Sequence, residues 1–266
     1  LSLEPSAASR LDGRVALVTG GGRGIGRAIA LALAGAGARV AVAARSRLEV
    51  DAVVRELARL RRQGLALTCD VTSAAAVERA FAEVAETLGP VDVLVNNAGF
   101  AESAPIHRLD EALWSRTIAV NLTGTYLCTR QALGTMVDRG RGRVVNIASI
   151  AGRVPFPYTA AYCAAKHGVI GFTRAVALEM ATKGVTVNAV CPGWVDTEMT
   201  TGSIQRIVSK TGRTPEDVRR MLEEMNPQRR LIQPEEVAAV AVFLAGDEAA
   251  GITGQAINVD GGEVMA

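Results

Sequence analysis

In AYCAAKHG (161–168) a phenol and an ammonium stand four residues apart, as Tyr162 and Lys166. A phenol carries an exchangeable proton and an ammonium is a fixed charge, so the pair is equipped for acid–base work on one face of a helix. The Ala-rich setting supports that helix. The plain alternative is two rim residues on an ordinary surface helix, and the tetrapeptide alone does not decide between them. A second candidate is TGGGRGIG (19–26), which follows the apolar run RVALVT (14–19) and opens an Ala/Leu helix. Glycines between a strand and a helix let the backbone turn tightly and approach a pyrophosphate, held by free N–H groups at the positive end of the helix.

Polar residues also stand where other apolar runs end. After ARVAVAA (38–44), Arg45 occupies the place where a carboxylate would accept ribose hydroxyls. Arg45, helped by Arg23, would instead hold a 2′-phosphate, which favours NADP(H) over NAD(H); for Arg45 alone a solvated turn residue is the alternative. Asp70-Val71 follow LALTC (65–69), and Asn96-Asn97-Ala98-Gly99 close VDVLVN (91–96). A short carboxylate there can accept from an adenine amino group, and a small turn leaves room for a ribose, though either can simply be a cap or a turn.

The elements that must position these groups are legible as alternation. To the runs above are added RVVNIA (143–148), VTVNAV (185–190) and QAINVD (255–260), which read as buried parallel strands. Between them lie helical stretches at roughly 25–36, 47–62, 74–88, 110–137, 159–182 and 235–245. The expected fold is α/β: a single-domain, Rossmann-type doubly wound parallel sheet of about seven strands with helices on both faces. One domain is expected over 12–266, with 1–11 as a flexible tail. The irregular stretch 200–231 is expected either as a lid over the strands' C-terminal ends or as a surface helical hairpin.

Bulk properties narrow the partners. Of 266 residues, 49% are hydrophobic, and the formal charge is only +2 with no basic block, so a nucleic-acid surface is not expected. Short apolar runs broken by Gly or charge argue against a membrane span, and LSLEPSAASR lacks the pattern of a secretion signal. Cys69, Cys128, Cys163 and Cys191 are scattered, implying neither a disulfide frame nor a metal site, and a cytoplasmic location is expected. Cys163 reads as a packing residue. His167 is rotated about a hundred degrees from Lys166 around the helix and reads as structural.

Ser149 stands thirteen residues before Tyr162. Together T-G-x-x-x-G-x-G, N-N-A-G, S-x12-Y-x-x-x-K and PGWVDT (192–197) resemble the short-chain dehydrogenase/reductase family from about residue 12 to NVDGG (258–262). The resemblance implies a ketone/secondary-alcohol oxidoreductase in which Tyr162 exchanges the proton, Lys166 lowers its pKa and binds the nicotinamide ribose, Ser149 orients the substrate oxygen, and Asn121 holds a relay water. It further implies cofactor contacts at Gly20, Gly22, Arg23, Gly24, Ile25, Gly26, Arg45, Asp70, Val71, Asn97, Ala98, Gly99, Pro192, Gly193, Val195 and Thr197, and a homotetramer.

Within the family, 157–199 looks most like 3-oxoacyl-[acyl-carrier-protein] reductases and type II polyketide ketoreductases, which makes a 3-oxoacyl thioester on a carrier protein or coenzyme A the leading substrate. A free small or aryl ketone is the alternative. The expected pocket wall is Ile150, Ala151, Val154, Phe156, Tyr158, Trp194 and the 200–231 lid, mostly apolar. Two departures stand out: Phe100-Ala101-Glu102 replaces the Pro-Gly-Gly of polyketide ketoreductases, and Leu178 takes a place where a basic residue would grip an acidic carrier, leaving Arg139, Arg141 and Arg143 as substitutes. A nucleotide-sensing protein without turnover is the reading from another class; the joint presence of Asn121, Ser149, Tyr162 and Lys166 weighs against it.

Overall fold

The computed structural model describes residues 11–265. Seven strands, β1 (Val15–Thr19), β2 (Arg39–Ala44), β3 (Gly64–Thr68), β4 (Val93–Asn96), β5 (Gly142–Ile147), β6 (Val185–Pro192) and β7 (Ala256–Val259), form one all-parallel sheet in the order β3-β2-β1-β4-β5-β6-β7. Strands β1, β4, β5 and β6 are buried along their whole length. That is why they read as mainly apolar runs, with a few buried polar residues such as Asn146 and Asn188, rather than as alternating ones.

Among the described residues the nine longer helices are α1 (Gly24–Gly35), α2 (Arg47–Arg59), α3 (Ala74–Thr87), α4 (Glu111–Ile118), α5 (Gly124–Asp138), α6 (Ala160–Met180), α7 (Glu198–Thr211), α8 (Pro215–Met225) and α9 (Pro234–Ala245). Their starts follow capping chemistry. Ser46, Ser73, Asp110 and Thr214 accept from backbone N–H groups of the first turns of α2, α3, α4 and α8, and a reciprocal Gln233/Glu236 pair opens α9. On one face of the sheet Ile29 and Leu33 of α1, Val53 and Leu57 of α2, and Val237 and Leu244 of α9 pack on Val18, Val40 and Val95. On the other, Phe81 and Val84 of α3, Leu127 and Met136 of α5, and Val176 of α6 pack on Leu17, Leu94 and Val187. Strand order reverses beside β1, between β1 and β4, so the loops leaving these strands diverge and open a crevice at their C-terminal ends.

Three expectations change, and the segment 200–231 takes one of its two expected forms. The domain begins earlier than residue 12: Leu11 is fully buried and its N–H bonds Ala36 O at 2.9 Å, while residues 1–10 lie outside the described residues. The helix expected over 110–137 is interrupted by a π turn at Ala119–Thr123 between α4 and α5. Residues 200–231 are a helical hairpin, α7 and α8, joined at Gly212 with φ +70° and closed over their own apolar cluster of Ile204, Val218, Leu222 and Leu231. Lastly, Arg139, Arg141 and Arg143 sit at the N-terminal end of β5, the edge of the sheet opposite the crevice. Arg139 and Arg141 pair with buried Asp92 at 3.0 and 3.1 Å, and buried Arg143 with Asp247 at 3.1 Å. They fasten the sheet's lower edge and do not stand in for a carrier-gripping residue near the crevice. Among the described residues no helix is long and apolar enough to cross a membrane.

Candidate active site

The crevice is a cleft of about 600 Å³ running from the glycine loop to α7. At its first end the turn after β1 is held by side chains. Buried Thr19 accepts from the N–H groups of Asn97 and Ala98, both at 3.1 Å, and Asn97 Nδ2 donates to Thr19 O at 3.0 Å and Gly20 O at 2.9 Å. The loops after β1 and β4 are thereby stapled together. Glycine is required at Gly20, where φ is +62° and a Cβ would stand 2.7 Å from Ala98 Cα, and at Gly26, where a Cβ would collide with Gly20 O. The backbone cradle that a pyrophosphate needs at the start of α1 therefore exists here, and a dinucleotide fits it. Gly20, Gly22, Arg23, Gly24, Ile25, Gly26, Arg45, Asp70, Val71, Asn97, Ala98 and Gly99 all line this end.

Electrostatics distinguish these residues. Arg45 is exposed, and among the described residues no carboxylate lies within 4 Å of its guanidinium. Arg23 faces Glu49 at 3.9 Å and Glu198 at 3.8 Å, both loose contacts. Asp70 Oδ1 accepts from Thr72 N at 2.9 Å and Thr72 Oγ1 at 2.8 Å; those bonds, with Arg45 adding attraction, hold its carboxyl below the ordinary range.

At the cleft's centre, Ser149 lies just past β5, where it caps the short turn Ile150–Gly152 by accepting from Ala151 N at 3.1 Å. Ser149 hydrogen-bonds the Tyr162 hydroxyl, and Tyr162 and Lys166 project from α6 into the same cleft. Lys166 is 4% exposed; its Nζ donates to Ile147 O at 2.8 Å and stands 5.6 Å from the centre of the Tyr162 ring. Gly152 allows this packing, since a Cβ there would stand 2.7 Å from Lys166 O.

Burial sets both proton affinities. It pushes Tyr162 up to about 12 against the opposing bond from Ser149, and it pulls Lys166 down to about 8. In the protein alone the phenol's net shift is therefore upward, with the Ser149 hydrogen bond as the one lowering influence.

Asn121 lies in the π turn, buried. Its Nδ2 donates to Thr117 O at 3.0 Å and Phe100 O at 2.8 Å, and its Oδ1 accepts from Phe100 N at 3.3 Å. The amide thus bonds the carbonyl four residues back, at the point where the helix takes a π turn. A Cβ on Gly99 would stand 3.2 Å from Asn121 Oδ1 and 3.9 Å from Lys166 Nζ, so the two groups flank the same small residue.

The far wall is built by the loop after β6 and by α7. Pro192, Gly193, Trp194, Val195 and Thr197 line the cleft, and Thr197 Cγ2 would lie 3.3 Å from a Cβ on Gly24, so this loop faces the glycine loop. Ile150, Ala151, Phe156 and Tyr158 also line it. Tyr158 stands 66% exposed at the mouth with φ +65°, its carbonyl accepting from Ala104 N at 2.8 Å. Val154 does not line the cleft: the turn after Ser149 carries it away, with its N–H on Ile150 O at 3.0 Å. His167 is exposed with Nδ1 on Cys163 O at 2.9 Å, and the half-buried Cys163 thiol rests 3.2 Å from Thr159 Oγ1.

Sequence reasoning missed the staple residue Thr19; it placed 200–231 on the pocket wall without singling out the α7 face of Met199, Ser203, Arg206, Ile207 and Lys210 that lines the cleft. The spacing of that face, 199, 203, 206, 207 and 210, is helical and was a usable signal.

The sequence profile described as Enoyl-(Acyl carrier protein) reductase matches residues 20–263. A putative ketoacyl reductase from Streptomyces coelicolor is 43% identical over 253 residues, covering 94% of this chain and 97% of its own. A 3-oxoacyl-[acyl-carrier-protein] reductase from Synechocystis is 43% identical over 257 residues, covering 96% and 98%. The structure of a Phe-to-Trp variant of actinorhodin polyketide ketoreductase with NADPH superposes with a TM-score of 0.93 at 42% identity, covering 95% of this chain and 98% of that one. With Ser149, Tyr162 and Lys166 gathered in a nucleotide-shaped cleft of a seven-stranded parallel sheet, the chain belongs to the short-chain dehydrogenase/reductase family of oxidoreductases.

Proposed function

We propose that this protein uses NADP(H) to reduce a 3-oxoacyl thioester to its 3-hydroxyacyl form. The observation that carries the reading is the convergence of Ser149, Tyr162 and Lys166 beside an apolar wall. With its pKa near about 12, Tyr162 is protonated at neutral pH and is the general acid toward a carbonyl oxygen. Ser149 bonds the same oxygen and fixes its distance from the phenol. Lys166, charged below about pH 8, binds the ribose hydroxyls and favours the phenolate left after proton transfer. Asn121 braces the loop beside Lys166 and holds the water that returns a proton to Tyr162. The nicotinamide, when bound, supplies the hydride to the carbonyl carbon. Pro192, Gly193, Val195 and Thr197 form the wall that orients its ring.

Support for NADP(H) over NAD(H) comes from Arg45, which has no carboxylate partner among the described residues, and from Ala44, which leaves no acid at the end of β2 to repel a 2′-phosphate. The relative solved with NADPH agrees with this preference. Support for a thioester comes from the two ketoacyl and 3-oxoacyl reductase relatives and from the apolar wall of Ile150, Ala151, Phe156 and Trp194. An acyl carrier protein or coenzyme A would present the acyl chain. Trp114, Tyr126 and Leu178, apolar and exposed on α4, α5 and α6, suit burial between copies in a homotetramer. Four unpaired cysteines suit a reducing cytoplasm.

The test is initial rates with NADPH and NADH on an acetoacetyl thioester and, in parallel, a small aryl ketone. The reading predicts NADPH with the thioester as the fastest combination. Faster aryl-ketone reduction would make the protein a carbonyl reductase of free ketones.

A further inference from the structure

The mouth of the cleft carries a second pair of cations that the chemistry at Tyr162 does not use. Arg206 and Lys210 lie one turn apart on α7 and both line the cleft. Half-buried Arg206 is braced: its Nη2 donates to Ser203 Oγ at 2.9 Å and reaches Ala101 O at 3.5 Å on the opposite wall. Among the described residues, neither cation has a carboxylate within 4 Å. Of the four acids that line the same cleft among the described residues, Glu102 pairs with Arg116 at 2.9 Å, Asp70 bonds Thr72, and Glu49 and Glu198 lie loosely beside Arg23 at 3.9 and 3.8 Å.

This pair is separate from the cations at the nucleotide end. Arg206 follows Thr197, which faces the glycine loop, by nine residues, about 13 Å along the helix. A group bound by Arg206 and Lys210 is therefore anionic, planted at the mouth, and connected to a reacting carbonyl at the centre by whatever spans the apolar wall.

We propose that Arg206 and Lys210 hold the phosphate of a phosphopantetheine arm and so select substrates by the far end of the arm that carries the acyl thioester. The proposal rests on the thioester reading above. A guanidinium and an ammonium converging on one phosphate give charge-assisted bonds that a neutral thioester of the same acyl group cannot make. Because Lys210 is exposed, salt weakens the attraction.

Two measurements test it. By calorimetry, the protein saturated with NADP+ binds 4′-phosphopantetheine about tenfold or more tightly than pantetheine at low salt, and the double variant Arg206→Ala/Lys210→Ala loses that difference. In kinetics, the wild type prefers acetoacetyl-CoA over acetoacetyl-N-acetylcysteamine through KM, and in the variant that preference collapses while kcat changes little. Equal weakening toward acetoacetyl-CoA and an acetoacetyl carrier protein supports the arm's own phosphate as the bound group. Weakening toward acetoacetyl-CoA alone overturns that assignment in favour of the coenzyme's nucleotide phosphates. A wild type that binds pantetheine as well as its phosphate, or a variant that weakens acetoacetyl-CoA and acetoacetyl-N-acetylcysteamine equally, overturns the proposal. A wild type that reduces neither thioester while discriminating the two pantetheines removes the thioester reading and leaves the phosphate site standing.

Discussion

At the scale of single residues, the chemistry turns on what burial does to two side chains on α6. Tyr162 is held in its protonated form well beyond neutral pH, whereas Lys166 is brought to about 8. On the proposed function, the alkaline limb of kcat/KM for NADPH, which reports the free enzyme, belongs to Lys166 and falls at about pH 8, as loss of its proton removes the charge proposed to hold the ribose. A profile flat to about pH 10 contradicts this assignment. The identity of both residues was legible from their spacing to Ser149. The direction of the phenol's shift was not, because it depends on the depth of burial, and depth is a property of the packed cleft. The same limit applies to Val154: its apolar character suited a pocket wall, but the turn capped by Ser149 swings it aside.

At the scale of elements, the proposed function assigns the nucleotide to the glycine loop and its staple. Gly26 packs directly under Gly20 O, so Gly26→Ala must push the loop off the start of α1. Loss of one or two backbone bonds to the pyrophosphate predicts NADPH binding weakened about tenfold to a hundredfold, read by fluorescence titration, with cooperative unfolding retained. Native affinity in that variant would contradict the cradle. The strands and most helices were legible from apolar runs and capping residues, and their ends shifted by only a few residues. One element was not, and another was legible only as one of two alternatives. The π turn at 119–123 lies where the Asn121 amide bonds a backbone carbonyl, a feature with no periodic signature. The hairpin of α7 and α8 stood beside a lid as an alternative because Gly and polar residues interrupt it, although Gly212 and Thr214 mark a helix stop and the following start.

At the scale of the whole molecule, the parallel sheet brings residues from several strand ends and from α6 and α7 into a single cleft, and the opposite edge is closed by ion pairs to Asp92 and Asp247. That division explains why arginines near β5 in sequence are remote from the chemistry. Stability also has a pH signature near the C-terminus. Burial, with Asp260 close by, pushes Glu263 up from 4.5 to about 7, and neither of its carboxylate oxygens has a hydrogen-bond partner. An acid with a raised folded pKa binds more protons folded than unfolded, so its contribution falls as pH rises from about 4.5 to about 7 and stays unfavourable above. Glu263→Gln is therefore expected to raise Tm at about pH 8 and to leave it close to wild type near about pH 4. Thermal unfolding at both pH values checks this, and a variant less stable than wild type under the alkaline condition would contradict it.

The most direct test of the whole account is the turnover of Tyr162→Phe with NADPH and an acetoacetyl thioester, measured beside its NADPH affinity. The account predicts a loss of about 10²–10⁴-fold in kcat, because the proton donor is gone, with cofactor affinity within a few-fold of wild type, because the cradle is intact. Near-native turnover in this variant would mean that another group protonates the substrate oxygen, and the proposed chemistry of the cleft would be wrong.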